Sequence, residues 1–130
     1  MSKILCVDFD GVLHSYSSGW QGADEVKDAP VKGAIRWLVN MIDSDDGVGY
    51  AIAIYSSRSS QEGGIMAMKA WLTHWFHDEF PDTDPEYFLR LLTFPTKKPP
   101  AYLTIDDRAI CFRGTFPSVQ ELDYFKPWNK

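Results

Sequence analysis

The stretch Ile4-Leu5-Cys6-Val7-Asp8-Phe9-Asp10-Gly11-Val12 decides the fold, because an apolar run ends there in two acids and a glycine. The near-continuous apolar part predicts a β-strand over Lys3–Asp8 that is covered on both faces. Asp8 and Asp10 share one face at the tip of this strand, since side chains i and i+2 of an extended chain point the same way. Two like charges this close repel each other and raise one pKa unless a cation neutralises them. A divalent metal would remove the conflict.

A second apolar strand ends in acids near the other end of the chain. Tyr102-Leu103-Thr104-Ile105 runs directly into Asp106-Asp107. Ligands of a parallel sheet collect outside the carboxyl ends of its strands, so we expect both acidic tips to contribute to one site. A site made only of oxygen ligands suits Mg²⁺, which proteins hold through one or two carboxylates together with waters and substrate phosphate. The sequence therefore predicts a shared magnesium site.

The composition sets limits on the architecture and the partners. A chain of 130 residues, of which 45% are hydrophobic and 15% aromatic, fits one domain spanning 1–130. The net charge of −5 argues against a broad electrostatic contact with nucleic acid or an anionic membrane. The apolar runs are too short to span a membrane and the first residues read as a core strand, so a cytoplasmic location is expected. Cys6 and Cys111 are expected to be buried free thiols rather than a disulfide or a metal-binding pair.

Helix and strand patterns alternate between the two acidic tips. In chain order they predict an irregular excursion over 11–30, a helix from Pro30 that stops at Asp45-Asp46-Gly47, a strand over Tyr50–Tyr55, a helix over Glu62–His77, an ambiguous segment over Tyr87–Thr93 that finishes as a short strand near Leu91-Leu92-Thr93, a strand ending at Asp106, a short strand over Ala109–Phe112 and a short helix over Ser118–Tyr124. This alternation predicts an α/β fold with a mostly parallel central sheet and helices on both faces.

The polar residues at the predicted strand tips form one ordered set. In chain order they are Asp8, Asp10, Ser56, one of Lys97 or Lys98, Asp106 and Asp107. This set resembles the haloacid dehalogenase-like (HAD) hydrolase superfamily over most of the chain. The four motifs that carry the resemblance are Asp8-Phe9-Asp10-Gly11-Val12, Ile52-Ala53-Ile54-Tyr55-Ser56, the Lys98-Pro99 region and Thr104-Ile105-Asp106-Asp107. With its short excursion after the first strand, the chain most resembles small phage-type and bacterial phosphatase-like members.

The resemblance implies a nucleophile and an acid/base catalyst in the first motif. Asp8 would attack a phosphoryl group and form an aspartyl-phosphate, which divides hydrolysis into two easier steps. Asp10 would protonate the leaving oxygen and later take a proton from water. The resemblance also makes Asp8 and the backbone carbonyl of Asp10 ligands of the metal.

The other motifs would position the phosphate and the metal. By the same resemblance, Ser56 would hydrogen-bond a phosphoryl oxygen, and a lysine would balance the negative charge. Lys98 is preferred because it precedes Pro99, and Lys97 is the alternative. Asp106, with Asp107 second, would hold Mg²⁺, and the metal and lysine would stabilise the charged transition state.

Loop residues beside these motifs are candidates for substrate binding. Gly11 and Ser57 adjoin the catalytic positions, and Arg58 could contact a phosphate bidentately or pair with an acid instead. His14 could approach the substrate, although local hydrogen bonding is the commoner role for such a histidine. Among the aromatic residues of 11–30, Tyr16 and Trp20 could stack on a base, with packing of Trp20 on the body as the alternative.

These observations predict a magnesium-dependent phosphomonoester hydrolase that acts through an aspartyl-phosphate. The fold implied is a Rossmann-like three-layer sandwich with a short flap over 11–30 and no cap domain. An open site of this kind suits a larger phosphorylated substrate such as a nucleotide, a nucleic-acid end or a phosphoprotein, or else a second subunit covers it. Two other classes stay open: a non-catalytic phosphate- or protein-binding module on the same fold, and a signalling domain that accepts phosphate on an aspartate.

Overall fold

A computed structural model describes residues 2–130 as an α/β fold built on one four-stranded sheet. The strands are β1 (Lys3–Val7), β2 (Tyr50–Ile54), β3 (Leu92–Thr93) and β4 (Leu103–Ile105), and the helices are α1 (Ala34–Asp43), α2 (Gly64–Glu79), α3 (Pro85–Leu89) and α4 (Val119–Asp123). The sheet order is β3-β2-β1-β4, and every neighbouring pair is parallel. The predicted α/β class and parallel sheet are therefore confirmed.

One hydrophobic core joins the helices to the sheet. Alternate side chains of β1 and β2, including Val7 and Ile54, pack with Leu38 of α1 and with Met68 and Leu72 of α2. These five side chains are fully buried or nearly so. The alternation follows from the pleat of a strand, which sends successive side chains to opposite faces. Packing against this core fixes the strands whose tips carry the acidic residues.

The helices end where the sequence supplies a conformational stop. α1 stops before a 3₁₀ turn at Asp45–Gly47, and α2 ends two residues before Pro81. α3 begins with Pro85 after an Asp84 cap that accepts the Glu86 N–H at 3.1 Å. The ambiguous segment over 87–93 resolves as the end of α3 followed by the short strand β3, as the pattern favoured.

The start of α1 differs from the prediction. The helix begins at Ala34 rather than at Pro30. Pro30 instead forms an antiparallel bridge with His14, and the Val31 N–H donates to the Leu13 carbonyl at 2.8 Å. The chain is thus held extended against the 11–30 segment through Val31. The helix can begin only after this pairing ends.

The predicted strand over Ala109–Phe112 is wrong. The segment has no strand pairing in the structure, and β4 remains an edge strand with β1 as its only sheet neighbour among residues 2–130. Apolar residues without a neighbouring strand cannot complete a hydrogen-bonded ladder, whatever their β propensity. The short helix predicted nearby does form as α4, with a Ser118–Glu121 capping box at its start.

Within residues 2–130, none of the helices has the length and apolar character needed to cross a membrane.

Candidate functional site

Three carboxylates come together at the carboxyl ends of two neighbouring strands. Asp8 follows β1, and Asp106 and Asp107 follow β4. The Asp8 N–H donates to the Ile105 carbonyl at 2.9 Å, which aligns the two strand tips. Each acid offers one oxygen, and the three oxygens lie within 4.8 Å of one another. The structure thus places both acidic ends that stand out in the sequence in one cluster.

Asp8 is in an environment that disfavours its charge. Burial of the carboxyl raises its pKa to about 8, with the negative charge of Asp106 as the next cause. A hydrogen bond from the Phe9 N–H opposes this rise, whereas a side-chain hydrogen bond with Asp107 adds to it. Burial and the neighbouring negative charge together therefore disfavour the ionised form of the Asp8 carboxyl.

The donor set of this cluster fits Mg²⁺. Carboxylate oxygens are the hard ligands that this ion prefers, and its sites commonly use one or two carboxylates while the remaining positions hold water or phosphate. Asp106 is exposed while Asp8 and Asp107 are half-buried, so water or phosphate can reach the cluster from the side of Asp106. The side chain of Asp10 lies outside this cluster.

The cluster opens into a cavity on the face of the sheet that carries Cys6. The cavity measures about 550 Å³ and is lined in part by Asp8, Asp106, Lys98 and the chain over 109–111. Lys98 is therefore the lysine of the Lys97-Lys98 pair that lines the cavity together with the acids. A cation at this position can offset part of the negative charge.

Asp10 is held by two buried side chains, which we call the Asp10 clamp: His14 and Arg58. One carboxylate oxygen of Asp10 lies 2.8 Å from His14 Nδ1, and the other accepts the Arg58 Nε–H at 2.9 Å. His14 Nε2 accepts the Asp28 N–H at 3.0 Å, so the ring proton must be on Nδ1 and is donated to Asp10. Two donors on two oxygens fix the direction of the Asp10 side chain.

Arg58 also fixes the 11–30 segment to the body of the protein. Its side chain is 0% exposed. Nη1 donates to the carbonyls of Gly22, Ala23 and Glu25 at 2.8, 2.9 and 3.1 Å. The ring of Trp20 lies over the guanidinium, 4.9 Å from centroid to carbon. Of the two roles considered for Arg58, acid pairing is the one seen here, and Trp20 packs on this arginine.

The serine loop after β2 is organised mainly by its own hydrogen bonds. Ser56 is buried, and its Oγ accepts the backbone N–H of Arg58 at 3.1 Å. The Ser56 N–H donates in turn to Ser59 Oγ at 3.0 Å. Ser57 is exposed. The Ser56 hydroxyl keeps its own proton for a further acceptor, because it acts only as an acceptor in the hydrogen bond with Arg58.

Gly11 is confined by the acidic cluster. Its φ of +84° is the left-handed conformation that glycine adopts most readily, and a Cβ at this position would lie 2.2 Å from Asp107 Oδ2. Its carbonyl accepts the indole N–H of Trp128 at 2.7 Å. Any side chain here would therefore displace one of the three acids.

Sequence reasoning missed two features of the site. The partners of Asp10 were not recognised, although the spacing of His14 four residues after Asp10 was a weak signal. Arg58 is 48 residues from Asp10, and Trp128 is 117 residues from Gly11, so no local pattern could join these pairs.

Comparison with known proteins identifies no family or relative for this chain. No family model matches the chain, and no curated protein or solved structure shows significant similarity to it.

Proposed function

We propose that the protein is a magnesium-dependent phosphomonoester hydrolase of the HAD type, acting through an aspartyl-phosphate on Asp8. The observation that carries this proposal is the cluster of Asp8, Asp106 and Asp107 at adjacent strand tips, with Lys98 lining the same cavity. Three acids that share one site strongly favour a cation. The lysine adds a second positive group where a phosphoryl group would need one.

In the first step, a carboxylate oxygen of Asp8 attacks phosphorus and the bond to the leaving oxygen breaks. The leaving oxygen takes a proton from Asp10. In the second step, water attacks the phosphorus of the aspartyl-phosphate, Asp10 takes a proton from that water, and the bond between phosphorus and Asp8 breaks. Inorganic phosphate leaves and the Asp8 carboxylate is restored.

The Asp10 clamp fits the second of these steps. His14 and Arg58 each contact one Asp10 oxygen, which holds the carboxyl in one direction for accepting a proton from water. To act as the acid in the first step, Asp10 must carry a proton in place of one of these contacts. We therefore assign His14 and Arg58 as positioning residues that set the direction of the Asp10 carboxyl.

Asp8, Asp106 and Asp107, together with the backbone carbonyl of Asp10, would hold Mg²⁺. When bound, the ion supplies charge stabilisation for the transferring phosphoryl group and keeps Asp8 ionised. The residues of the chain then have distinct roles. Asp8 is the nucleophile, and Ser56 and Lys98 donate hydrogen bonds to phosphoryl oxygens. Gly11 lets the backbone lie close to the acids and the substrate.

We also propose that the fold is a Rossmann-like three-layer sandwich with a flap over 11–30 and a site without a cap domain. The single core and the irregular course of 11–30 support it. We propose nucleotides or nucleic-acid ends as the substrate class, and a cytoplasmic location, which two cysteines that are not paired with each other support.

The test is release of inorganic phosphate from nucleotides, sugar phosphates, phosphopeptides and phosphate-ended oligonucleotides, with Mg²⁺ or with EDTA. Release that requires Mg²⁺ and is abolished in Asp8→Asn supports the proposal. Stable phosphorylation of Asp8 without turnover would indicate the signalling class. Binding of phosphate compounds without an aspartyl-phosphate would indicate the non-catalytic module.

A matched pair of lysine variants sharpens the assignment. Lys98→Met should lower kcat by about 10²-fold or more, as expected on removal of a group that stabilises the transition state. Lys97→Met removes the same charge from the adjacent position and should leave kcat nearly unchanged. Equal effects of the two variants would contradict the assignment of Lys98.

A further inference from the structure

The C-terminal residues of the chain bind the loop that follows Asp10. The indole N–H of Trp128 donates to the Gly11 carbonyl at 2.7 Å. The side-chain amide of Asn129 donates to the Ser15 carbonyl at 3.3 Å. Two consecutive residues at the end of the chain therefore hold both ends of the 11–15 stretch.

These contacts place Trp128 beside the acidic cluster. Gly11, which accepts the indole N–H, is in such close contact with Asp107 that a Cβ would lie 2.2 Å from its carboxylate. Asp107 in turn lies in the cluster with Asp8. A continuous series of contacts thus connects the indole ring to the residue proposed to carry the phosphoryl group.

Trp128 is restrained at its indole nitrogen yet open to solvent. Its hydrogen bond to the Gly11 carbonyl limits the movement of the ring, but 66% of the residue remains exposed. Of the two residues that the sequence offers for stacking on a base, Trp20 has its ring over the Arg58 guanidinium and Tyr16 has its ring edge-on to that of His14. A pre-oriented aromatic face loses little conformational entropy when a second ring stacks on it.

We propose that Trp128 is a stacking surface for the nucleobase of a nucleotide or nucleic-acid end whose phosphate lies at Asp8. This inference rests on the proposed function and adds the recognition of the base. Stacking suits a chain with a net charge of −5, which is poorly matched to binding through the phosphate backbone. Every base has a flat face, so the subsite accepts bases with little sequence preference.

The test compares AMP with glycerol phosphate, which carries the phosphate but no ring. In Trp128→Ala, KM for AMP should rise about tenfold, in keeping with the stacking energy per base, while KM for glycerol phosphate stays unchanged. Trp128→Phe keeps a ring and should lie between the two proteins. Phe116→Ala serves as the control, because Phe116 is a tail aromatic with 86% exposure.

Equilibrium binding of both compounds to the same variants, in an Asp8→Asn background, gives a readout that does not depend on turnover. Loss of affinity for AMP alone supports the stacking role. Equal losses for both compounds would show that Trp128 only positions the Gly11 loop, and unchanged affinities would also overturn the inference. If the wild-type protein releases no phosphate from any compound, the proposed hydrolase fails, and these binding ratios still decide whether Trp128 recognises a base.

Discussion

Replacing Arg58 with methionine should destabilise the protein strongly, because this one side chain holds the Asp10 clamp together. Methionine keeps most of the apolar length and removes every donor. The change leaves Asp10 with His14 alone and deprives the carbonyls of Gly22, Ala23 and Glu25 of a common donor. Its effect should therefore far exceed that of an exposed arginine.

The size of the loss follows from the burial of the pair. Breaking a buried ion pair by removing one partner costs about 3–5 kcal/mol. The side chain of Asp10 is 13% exposed and keeps its bond to His14, so we take the lower limit of about 3 kcal/mol. For a domain of this size, that loss lowers Tm by roughly 10–15 °C.

Urea unfolding followed by tryptophan fluorescence measures this loss, with the exposed Arg113→Met as the matched control. A double-mutant cycle with Asp10→Asn separates the pair from the three carbonyl contacts, because the arginine should matter less once Asp10 is neutral. A loss of unfolding free energy below about 1 kcal/mol, the usual value for exposed ion pairs, would refute the stabilising role of the Asp10–Arg58 pair. Additive effects of the two substitutions would show that Asp10 and Arg58 do not interact.

Two further predictions concern the acidic cluster. Gly11→Ala and Gly19→Ala impose a side chain on similar left-handed backbones, with φ of +84° and +74°, but only the first collides with Asp107. Both variants should lose about 1 kcal/mol of unfolding free energy. Only Gly11→Ala should weaken Mg²⁺ binding, by roughly tenfold or more in calorimetric titration. Equal Mg²⁺ affinities of the two variants would contradict the contact between Gly11 and Asp107. In EDTA, the raised pKa of Asp8 means that the folded protein keeps a proton that the unfolded chain has lost, so unfolding free energy should fall as pH rises from 3.8 to about 8. Urea unfolding across this range should show the slope vanish in Asp8→Asn, and parallel curves would show that Asp8 is not the group responsible.

The sequence predicted the strand tips well because local patterns determine them. An apolar run that ends in polar residues can be recognised without knowledge of its neighbours. β1 and β4 lie in runs that end in acids, and β2 lies in one that is followed by serines. The sheet order is not local in this sense. It depends on how crossovers bring strands together, so Asp8 and Asp106 could be placed at the same edge but not shown to be neighbours.

The tail shows where a local pattern misleads. Ala109–Phe112 has the composition of a strand, but a strand needs a partner with free hydrogen-bonding groups in the right place. The segment instead lines the same cavity as Asp8 and Asp106, and its Cys111 is exposed rather than buried as the sequence predicts. Only the three-dimensional course of the chain could reveal that these residues line that cavity.

The distribution of charge explains why the two groups of acids behave differently. Asp10 has an arginine and a histidine as direct partners, so its charge is balanced within the fold. The acids of the cluster have one another as neighbours instead, and Lys98 lines the same cavity as Asp8 and Asp106. Burial of Asp8 is the main cause of its raised pKa, and the negative charge of Asp106 adds to it. On the proposal that the protein is a magnesium-dependent hydrolase, this difference assigns the cation to the cluster of three acids and the role of proton acceptor to Asp10.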